Sequence, residues 1–199
     1  RICITTKLTM SNQNTPFSGN FPFIRCGGQL VDLRTPRVMG IINTTPNSFY
    51  KGSRYQEQDA VLKQVAQFLE EGADFIDIGG HSTKPGAEWV PEDEEWQRTV
   101  PLIEAIVQRF PEVRISIDTF RSTVAKAAIQ AGATMVNDVS GGNLDQAMFD
   151  TVEALQVPYI LMHMQDTPQT MQQNPTYEDV TQEIIRELSG KLGDLKKRH

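Results

Sequence analysis

Apolar residues along the chain follow two alternating patterns, short continuous runs and longer stretches with helical spacing. The short runs end near Ile42, Ile78, Ile117, Val136 and Leu161. The helical stretches cover residues 57–71, 92–109, 122–132, 144–155 and 177–197. Such runs predict buried strands, and apolar residues repeated every three to four positions predict amphipathic helices. Strands that alternate with helices predict an α/β fold with a parallel sheet, right-handed crossovers and both faces buried.

One helix and the segment before the first strand add detail. The apolar stripe predicted for the helix 92–109 comprises Trp96, Val100, Ile103, Val107 and Phe110, and Pro101 is expected to kink this helix. Residues 21–33, FPFIRCGGQLVDL, alternate around a Gly-Gly pair, which predicts a β-hairpin.

Two architectures fit this order of elements, an open doubly wound sheet and a (β/α)8 barrel. The hairpin favours the barrel, because it can plug the bottom of one. A complete barrel takes ~250 residues. The chain of 199 residues therefore accounts for about five of the eight βα units of a barrel.

Polar side chains follow every predicted strand at the point where it ends. They are Asn43-Thr44-Thr45, Asp77 with Gly79 to Gly86, Asp118-Thr119, Asn137-Asp138 with Ser140-Gly141-Gly142, and His163-Met164-Gln165-Asp166. One Asn or Asp after a strand usually forms a turn or a helix cap. Five in succession predict a pocket, because the carboxyl ends of parallel strands lie on one side, where α/β proteins bind ligands. Asp77 is the best candidate for a purely structural role, as a brace for the glycine loop.

Composition and spacing exclude several classes of protein. A net charge of −6 without a basic stripe argues against nucleic-acid binding. Two cysteines form no disulfide framework and favour a reducing compartment, the cytoplasm. No apolar run approaches the ~18 residues of a membrane span. His81 and His163 lack a third zinc ligand at suitable spacing, no G-x-S-x-G elbow is present, and the Gly-Gly pairs are not dinucleotide fingerprints.

The polar strand ends suit a heterocycle joined to a diphosphate. Asp118 and Asn137 can form paired hydrogen bonds to a flat ring with amino and oxo groups. Thr83, Lys84 and nearby backbone N–H groups can hold phosphate oxygens. Asn43 offers a neutral oxygen to Mg²⁺, which typically takes one or two protein ligands plus substrate phosphates.

These segments resemble one known family. MGIINTTPNSF, DIGGHSTKPGA, SIDT, NDVSGG and LMHMQDTPQTMQ, in this order, are similar to the motifs of dihydropteroate synthase, and the resemblance runs from about residue 21 to the end. It implies a (β/α)8 TIM barrel of the pterin-binding type, often dimeric, with the N-terminal β-hairpin. It also implies a transferase of folate biosynthesis and a sulfonamide target, which joins p-aminobenzoate to dihydropterin hydroxymethyl diphosphate.

The resemblance also assigns site residues. Asn43 corresponds to the ligand of Mg²⁺ and diphosphate, Thr83 and Lys84 to diphosphate contacts on the second loop, Asp118 and Asn137 to pterin-binding residues, and Thr45 and Pro46 to the first loop, which encloses p-aminobenzoate. Two positions differ from the family pattern. Asn47 stands where the family usually has Asp, and Lys84 where it usually has Arg, so the bidentate grip on phosphate is lost.

The ends of the chain carry expectations of their own. Residues 1–20 are expected to be a disordered or expression-derived lead, with a natural start at Met10, and residues 21–199 a pterin-binding barrel domain truncated at its C-terminus. The family's later pterin-contacting Asp, Ser-Arg-Lys segment and final Arg-x-His have no counterpart here. The isolated chain is therefore expected to be incomplete for catalysis.

Two alternatives remain at this point. The pterin-binding barrel of a corrinoid methyltransferase shares the Asp and Asn strand ends but needs no diphosphate loop, so residues 82–86 and 43–46 favour the synthase. A non-catalytic pterin-binding homologue is favoured by Asn47 and by the absence of the family's last segments.

Overall fold

A computed structural model describes residues 2–4, 23–44, 54–81 and 89–198. The elements are β1 (Ile2–Ile4), β2 (Phe23–Cys26), β3 (Gln29–Asp32), β4 (Met39–Asn43), α1 (Arg54–Glu70), β5 (Phe75–Gly79), α2 (Glu92–Arg109), β6 (Ile115–Asp118), α3 (Ser122–Gln130), β7 (Met135–Asp138), α4 (Met148–Leu155), β8 (Tyr159–Leu161) and α5 (Val180–Lys197). All five strands and all five helices expected from the sequence are present. None of the helices in these ranges combines the length and apolarity of a membrane span.

The main sheet places β4, β5, β6, β7 and β8 side by side in chain order, and each neighbouring pair is parallel. A doubly wound sheet reverses its strand order at a switch point. The uninterrupted order therefore decides between the two predicted architectures in favour of consecutive units of a barrel.

Strand β1 lies antiparallel on the free edge of β8, with Ile2 opposite Leu161. The sequence analysis placed these residues in a disordered or expression-derived lead, and a run of only three residues carries almost no periodicity that could indicate a strand. An edge strand with unpaired backbone groups readily accepts such a short partner. The rest of the proposed lead lies outside the described residues.

Side chains alternate along the strands between an outer face and an inner face. Ile76 and Ile78 of β5 and Ile115 and Ile117 of β6 belong to the large apolar cluster that the strands share with the helices. Helix α2 enters this cluster through Leu102, Ile103 and Ile106. The helices therefore cover the outer face of the sheet, as the continuous apolar runs of the strands predicted.

The β2–β3 hairpin closes the inner face at the opposite end from the predicted site. Ile24, Cys26 and Val31 of the hairpin cluster with Phe75, Met135 and Ile160, which point inward. Phe75 and Met135 are the first residues of their strands. The predicted role of the hairpin as a plug at the bottom of the barrel is confirmed.

The predicted apolar stripe of α2 is wrong at one position. Trp96 is 44% exposed, whereas its neighbour Glu95 is completely buried. The buried face instead begins at Glu95 and continues through Thr99 and Ile103, because Glu95 pairs with Arg121. Helical spacing locates a buried face only to within one residue when a charged side chain is buried by an ion pair.

Candidate functional site

Four residues form a row across the inner face at the carboxyl ends of β4 to β7. Asn43 lies opposite Gly79, Gly79 opposite Asp118, and Asp118 opposite Asn137. Their strands alternate in register with Phe75 and Met135, which face the interior. We call Asn43, Gly79, Asp118 and Asn137 the carboxyl row, and it unites three residues that the sequence analysis placed at one site.

Gly79 leaves space between its two neighbours in the carboxyl row. A Cβ atom at this position would lie 3.5 Å from Oδ1 of Asn43, 3.5 Å from Cβ of Asp118 and 3.8 Å from Oδ2 of Asp118. Any larger side chain would therefore occupy the gap between the amide oxygen and the carboxylate. This gap is where a ligand atom can contact both groups.

Asp77 orients Asn137 from within the sheet. The Asn137 amide nitrogen donates to Oδ2 of Asp77 over 2.9 Å, and both side chains are 1% exposed. They come from β5 and β7, and in a barrel the inward side chains of alternate strands meet in one layer. The structural role expected for Asp77 therefore includes holding a predicted binding residue.

The hydrogen bond to Asp77 determines what Asn137 presents to the site. With its amide nitrogen engaged, Asn137 keeps its carbonyl oxygen Oδ1, which is buried and has no hydrogen-bond partner among the described residues. A buried acceptor without a partner costs ~1–3 kcal/mol. A ligand N–H group that reached Oδ1 would recover this cost, so the arrangement favours a ligand with ring or amino N–H donors.

Asp138 does not belong to the pocket in which the sequence analysis placed it. Its carboxylate accepts hydrogen bonds from the Tyr159 hydroxyl at 2.7 Å, from Ser140 N at 2.7 Å and from Gly142 N at 2.8 Å. Adjacent residues of a strand face opposite sides, so Asn137 points inward and Asp138 toward the helices. Burial and the Asp138 carboxylate raise the pKa of the Tyr159 phenol, which remains a neutral donor.

His163 also lies outside the carboxyl row. Its Nε2 is 2.9 Å from the Tyr177 hydroxyl, and its Nδ1 contacts Glu187 of α5, which also pairs with Lys191. His163 therefore ties the end of β8 to α5 rather than facing a ligand. In the described part of the chain no group of three or more His, Cys, Asp or Glu side chains could hold a metal ion.

The loops that carry the other predicted residues start from firmly held ends. Thr44 N and Oγ1 donate to the Gly79 carbonyl over 2.8 and 3.0 Å, which fixes the point where the first loop leaves β4. Residues 45–53 and 82–88 lie outside the described residues. The assignments of Thr45, Pro46, Thr83 and Lys84, and the differences at Asn47 and Lys84, therefore remain predictions.

A cluster beside the second loop was missed by the sequence analysis. The rings of His81 and Trp89 meet edge to face beside Phe120, and Arg121 contacts both Glu95 and the Val90 carbonyl. The available signal was Arg121 itself, a basic residue immediately before α3, where acidic and small polar residues are preferred. A cation at that position indicates a partner elsewhere in the fold.

Parallel strands in barrel order, with polar side chains gathered at their carboxyl ends, define an α/β-barrel protein with a small-molecule site. Residues 39–198 match the family model described as pterin binding enzyme. The chain therefore belongs to the pterin-binding enzyme family, and the carboxyl row lies within the matched region.

Curated relatives agree with this assignment. The dihydropteroate synthase of Haemophilus influenzae is 41% identical over 164 residues, which cover 82% of this chain and 59% of that protein. The folic acid synthesis protein fol1 of Pneumocystis carinii is 44% identical over 161 residues, 80% of this chain and 22% of that protein. The chain thus spans between about a fifth and three-fifths of the length of these relatives.

Solved structures confirm the barrel. The dihydropteroate synthase of Xanthomonas albilineans with 4-aminobenzoic acid is 40% identical, with a TM-score of 0.75 over 87% of this chain and 61% of that chain. The same enzyme in complex with 7,8-dihydropteroate has a TM-score of 0.74 at 37% identity, over 89% and 61% of the two chains. The five parallel strands β4 to β8 are therefore part of a (β/α)8 barrel.

Proposed function

We propose that this chain forms part of a dihydropteroate synthase, which joins p-aminobenzoate to dihydropterin hydroxymethyl diphosphate and releases diphosphate in folate biosynthesis. The observation that carries the proposal is the carboxyl row, in which the buried Oδ1 of Asn137 has no hydrogen-bond donor among the described residues. The names of the relatives support it, and they favour a synthase over a corrinoid methyltransferase.

The inner part of the row suits the pterin ring. A pterin carries amino and ring N–H donors on one edge, and Asn137 Oδ1 and the Asp118 carboxylate are acceptors on neighbouring strands. Asp77 keeps Asn137 in the orientation that presents its oxygen. We therefore assign pterin recognition to Asp118 and Asn137, with Asp77 as their support.

The outer part of the row suits the diphosphate and Mg²⁺. Asn43 is exposed at the end of β4 and supplies one neutral oxygen beside the gap at Gly79. A single protein oxygen fits Mg²⁺, because this ion keeps several waters and is held largely by substrate phosphates. Bound there, Mg²⁺ would neutralise charge on the leaving diphosphate. Thr83 and Lys84 would hold the diphosphate oxygens that do not contact Mg²⁺.

The chemistry then requires positioning more than acid or base catalysis. The amine nitrogen of p-aminobenzoate forms a bond to the pterin methylene carbon as the bond from that carbon to the diphosphate oxygen breaks, and the amine loses a proton. Asp118 and Asn137 hold the pterin so that this carbon faces the second substrate. The first loop, with Thr45 and Pro46, would enclose p-aminobenzoate and exclude water.

Titration calorimetry on the full-length protein that contains this chain tests the proposal. Dihydropterin hydroxymethyl diphosphate should bind more tightly with Mg²⁺ than without it. Asn43→Ala should abolish this Mg²⁺ dependence, because it removes the proposed ligand oxygen. Asn143→Ala, a change at an exposed asparagine of the β7–α4 connection, is the matched control and should behave as the wild type.

Two results would contradict the synthase. If the pterin diphosphate bound equally well with and without Mg²⁺, the proposed role of Asn43 as a Mg²⁺ ligand would be wrong. Binding of methyltetrahydrofolate without any Mg²⁺ effect would instead support a corrinoid methyltransferase.

Three further properties belong to the same proposal. We propose a homodimer located in the cytoplasm, although plant relatives are named as mitochondrial proteins. We also propose that sulfonamides compete with p-aminobenzoate, since a Yersinia pestis dihydropteroate synthase structure is described as a sulfonamide drug complex.

A further inference from the structure

The two ends of the connection between β5 and α2 meet beside the carboxyl row. The rings of His81 and Trp89, on either side of residues 82–88, have centroids 5.1 Å apart. Phe120, from the connection after β6, completes the contact at 5.2 Å from His81 and 5.1 Å from Trp89. His81 and Trp89 are therefore in contact, and Phe120, from outside the connection, contacts both of them.

Arg121 is the residue that joins these elements. One guanidinium nitrogen donates to the Val90 carbonyl over 2.6 Å, and the other pairs with the Glu95 carboxylate of α2. The guanidinium carbon lies 5.3 Å from the Trp89 ring centroid and 4.9 Å from that of Phe120. The Arg121 side chain thus contacts the end of the connection, the helix that follows it and the rings of Trp89 and Phe120.

The contacts of Arg121 are buried, so water cannot take the place of a lost partner. Arg121 is 8% exposed and Glu95 is completely buried. Burial raises the pKa of the Glu95 carboxyl, and hydrogen bonds and charge from Thr119 and Arg121 oppose that rise. Removing one partner of a buried ion pair leaves an uncompensated charge, so Arg121 and Glu95 act together.

The same residue is coupled to the carboxyl row through the backbone. Arg121 lies three positions after Asp118, and its N–H donates to Thr119 Oγ1 over 3.1 Å. Thr119 N in turn donates to the carbonyl oxygen of Asn137 over 3.0 Å. These two hydrogen bonds therefore link Arg121 to the strand ends that carry Asp118 and Asn137.

We propose that Arg121 is a positioning residue that holds the Trp89–Val90 end of the β5–α2 connection against α2 and the residues after β6, and thereby sets the affinity for the diphosphate part of the substrate. The inference rests on the proposed function, which assigns diphosphate contacts to Thr83 and Lys84 in that connection. It goes beyond it because Arg121 itself is given no contact with the substrate.

The test compares two ligands on the full-length protein, 6-hydroxymethyl-7,8-dihydropterin and its diphosphate, both titrated with Mg²⁺ present. Arg121→Met should weaken binding of the diphosphate by about tenfold and binding of the free pterin by less than about twofold. Arg121→Lys should be intermediate, because lysine keeps the charge but cannot reach Glu95 and Val90 together. A purely structural role would weaken both ligands alike.

Two further variants serve as controls for this test. Arg114→Met removes an arginine that precedes β6, where it contacts Gln29 of the hairpin, and should leave both affinities unchanged. If Arg121→Met fails to fold, the double variant Arg121→Met with Glu95→Gln removes both buried charges and should show the same selective loss.

The outcomes separate this inference from the proposed function. A wild-type protein that binds neither ligand refutes the function and the inference with it. A wild type that binds both, with equal loss or no loss for the two ligands in the folded variants, overturns the role of Arg121 alone. Selective loss in Arg114→Met would also overturn it.

Discussion

At the scale of single residues, the site depends on which face of a strand a side chain takes. Asn137 and Asp138 are neighbours in the chain, but one presents an acceptor to the interior and the other braces a turn through Tyr159 and Ser140. Gly79 and Gly80 differ in the same way. Gly79 leaves a gap in the carboxyl row, whereas Gly80 allows close packing against α2.

Alanine at these two glycines should separate binding from stability. Gly79→Ala places a methyl group at ordinary contact distances, 3.5 Å or more, so the free energy of unfolding should change by less than about 1 kcal/mol. The methyl group fills the gap between Asn43 and Asp118, and the pterin diphosphate should bind at least about tenfold more weakly. Denaturant unfolding and calorimetry measure the two effects.

Gly80→Ala is the matched comparison. It should lower the free energy of unfolding and leave the affinity for the pterin diphosphate unchanged in the folded protein. Its Cβ would lie 2.8 Å from Cγ2 of Thr99, 2.9 Å from Cγ of Glu95 and 3.2 Å from the Glu95 carbonyl oxygen. Overpacking of this kind costs ~1–3 kcal/mol. If both variants were equally stable and bound equally well, the assigned roles of the two glycines would be wrong.

At the scale of elements, the connection after β5 places a buried histidine, His81, near Arg98 of α2 and Arg121 of the connection after β6. His81 Nδ1 accepts a hydrogen bond from Val90 N over 3.4 Å, and Trp89 and Phe120 contact the ring. Burial, together with the charges of Arg121 and Arg98, lowers the pKa of His81 to about 4. The neutral ring is therefore part of the folded connection.

This lowered pKa predicts how stability depends on pH. Unfolded histidine titrates near 6.5 and the folded residue near 4, so the unfolded state binds more protons between these values. The contribution of His81 is fully present above about pH 6.5 and falls by up to about 3 kcal/mol as the pH drops toward 4. Urea unfolding at several pH values measures this slope.

Replacing the histidine should remove its part of the slope. His81→Phe fits between Trp89 and Phe120 and carries no titrating group, so its unfolding free energy should vary less than that of the wild type in this window. An unchanged slope in the variant would assign the acid sensitivity to other groups.

At the scale of the whole molecule, the plug and the site lie at opposite ends of the strands. The hairpin packs on the first residues of β5 and β7, whereas the carboxyl row occupies the last residues of the strands. The apolar contacts of Ile24, Cys26 and Val31 with Phe75 and Met135 lie at the amino ends of these strands. Changes in the plug should therefore alter stability without altering ligand recognition.

Two aliphatic residues of the hairpin test this separation. Ile24→Ala removes a side chain that is 4% exposed and should lower the free energy of unfolding by about 2–4 kcal/mol. Leu30→Ala, on the paired strand but 67% exposed, is the control and should change it by less than about 0.5 kcal/mol. The dissociation constant of the pterin diphosphate should be the same in both folded variants, and a selective change in Ile24→Ala would contradict the separation.

The elements were predicted well because each has a strong local signal. Helix α2 spans the predicted residues 92–109, and every parallel strand ends within two residues of the predicted position. Helix α5 begins later than predicted, at Val180, because Asp179 accepts a hydrogen bond from Gln182 N and caps it. Such a cap depends on the local backbone as well as on residue type.

The amino-acid sequence by itself determined the elements, the parallel order of polar strand ends and the motifs that resemble dihydropteroate synthase. These follow from periodicity and from residue types, which are local properties of the chain. Only the tertiary structure decided that Asn137 and Asp138 diverge, that His163 leaves the site for α5, and that Arg121 reaches Glu95 across 26 positions. Long-range pairing of buried polar groups depends on where the sheet brings distant segments together, and no local pattern records that placement.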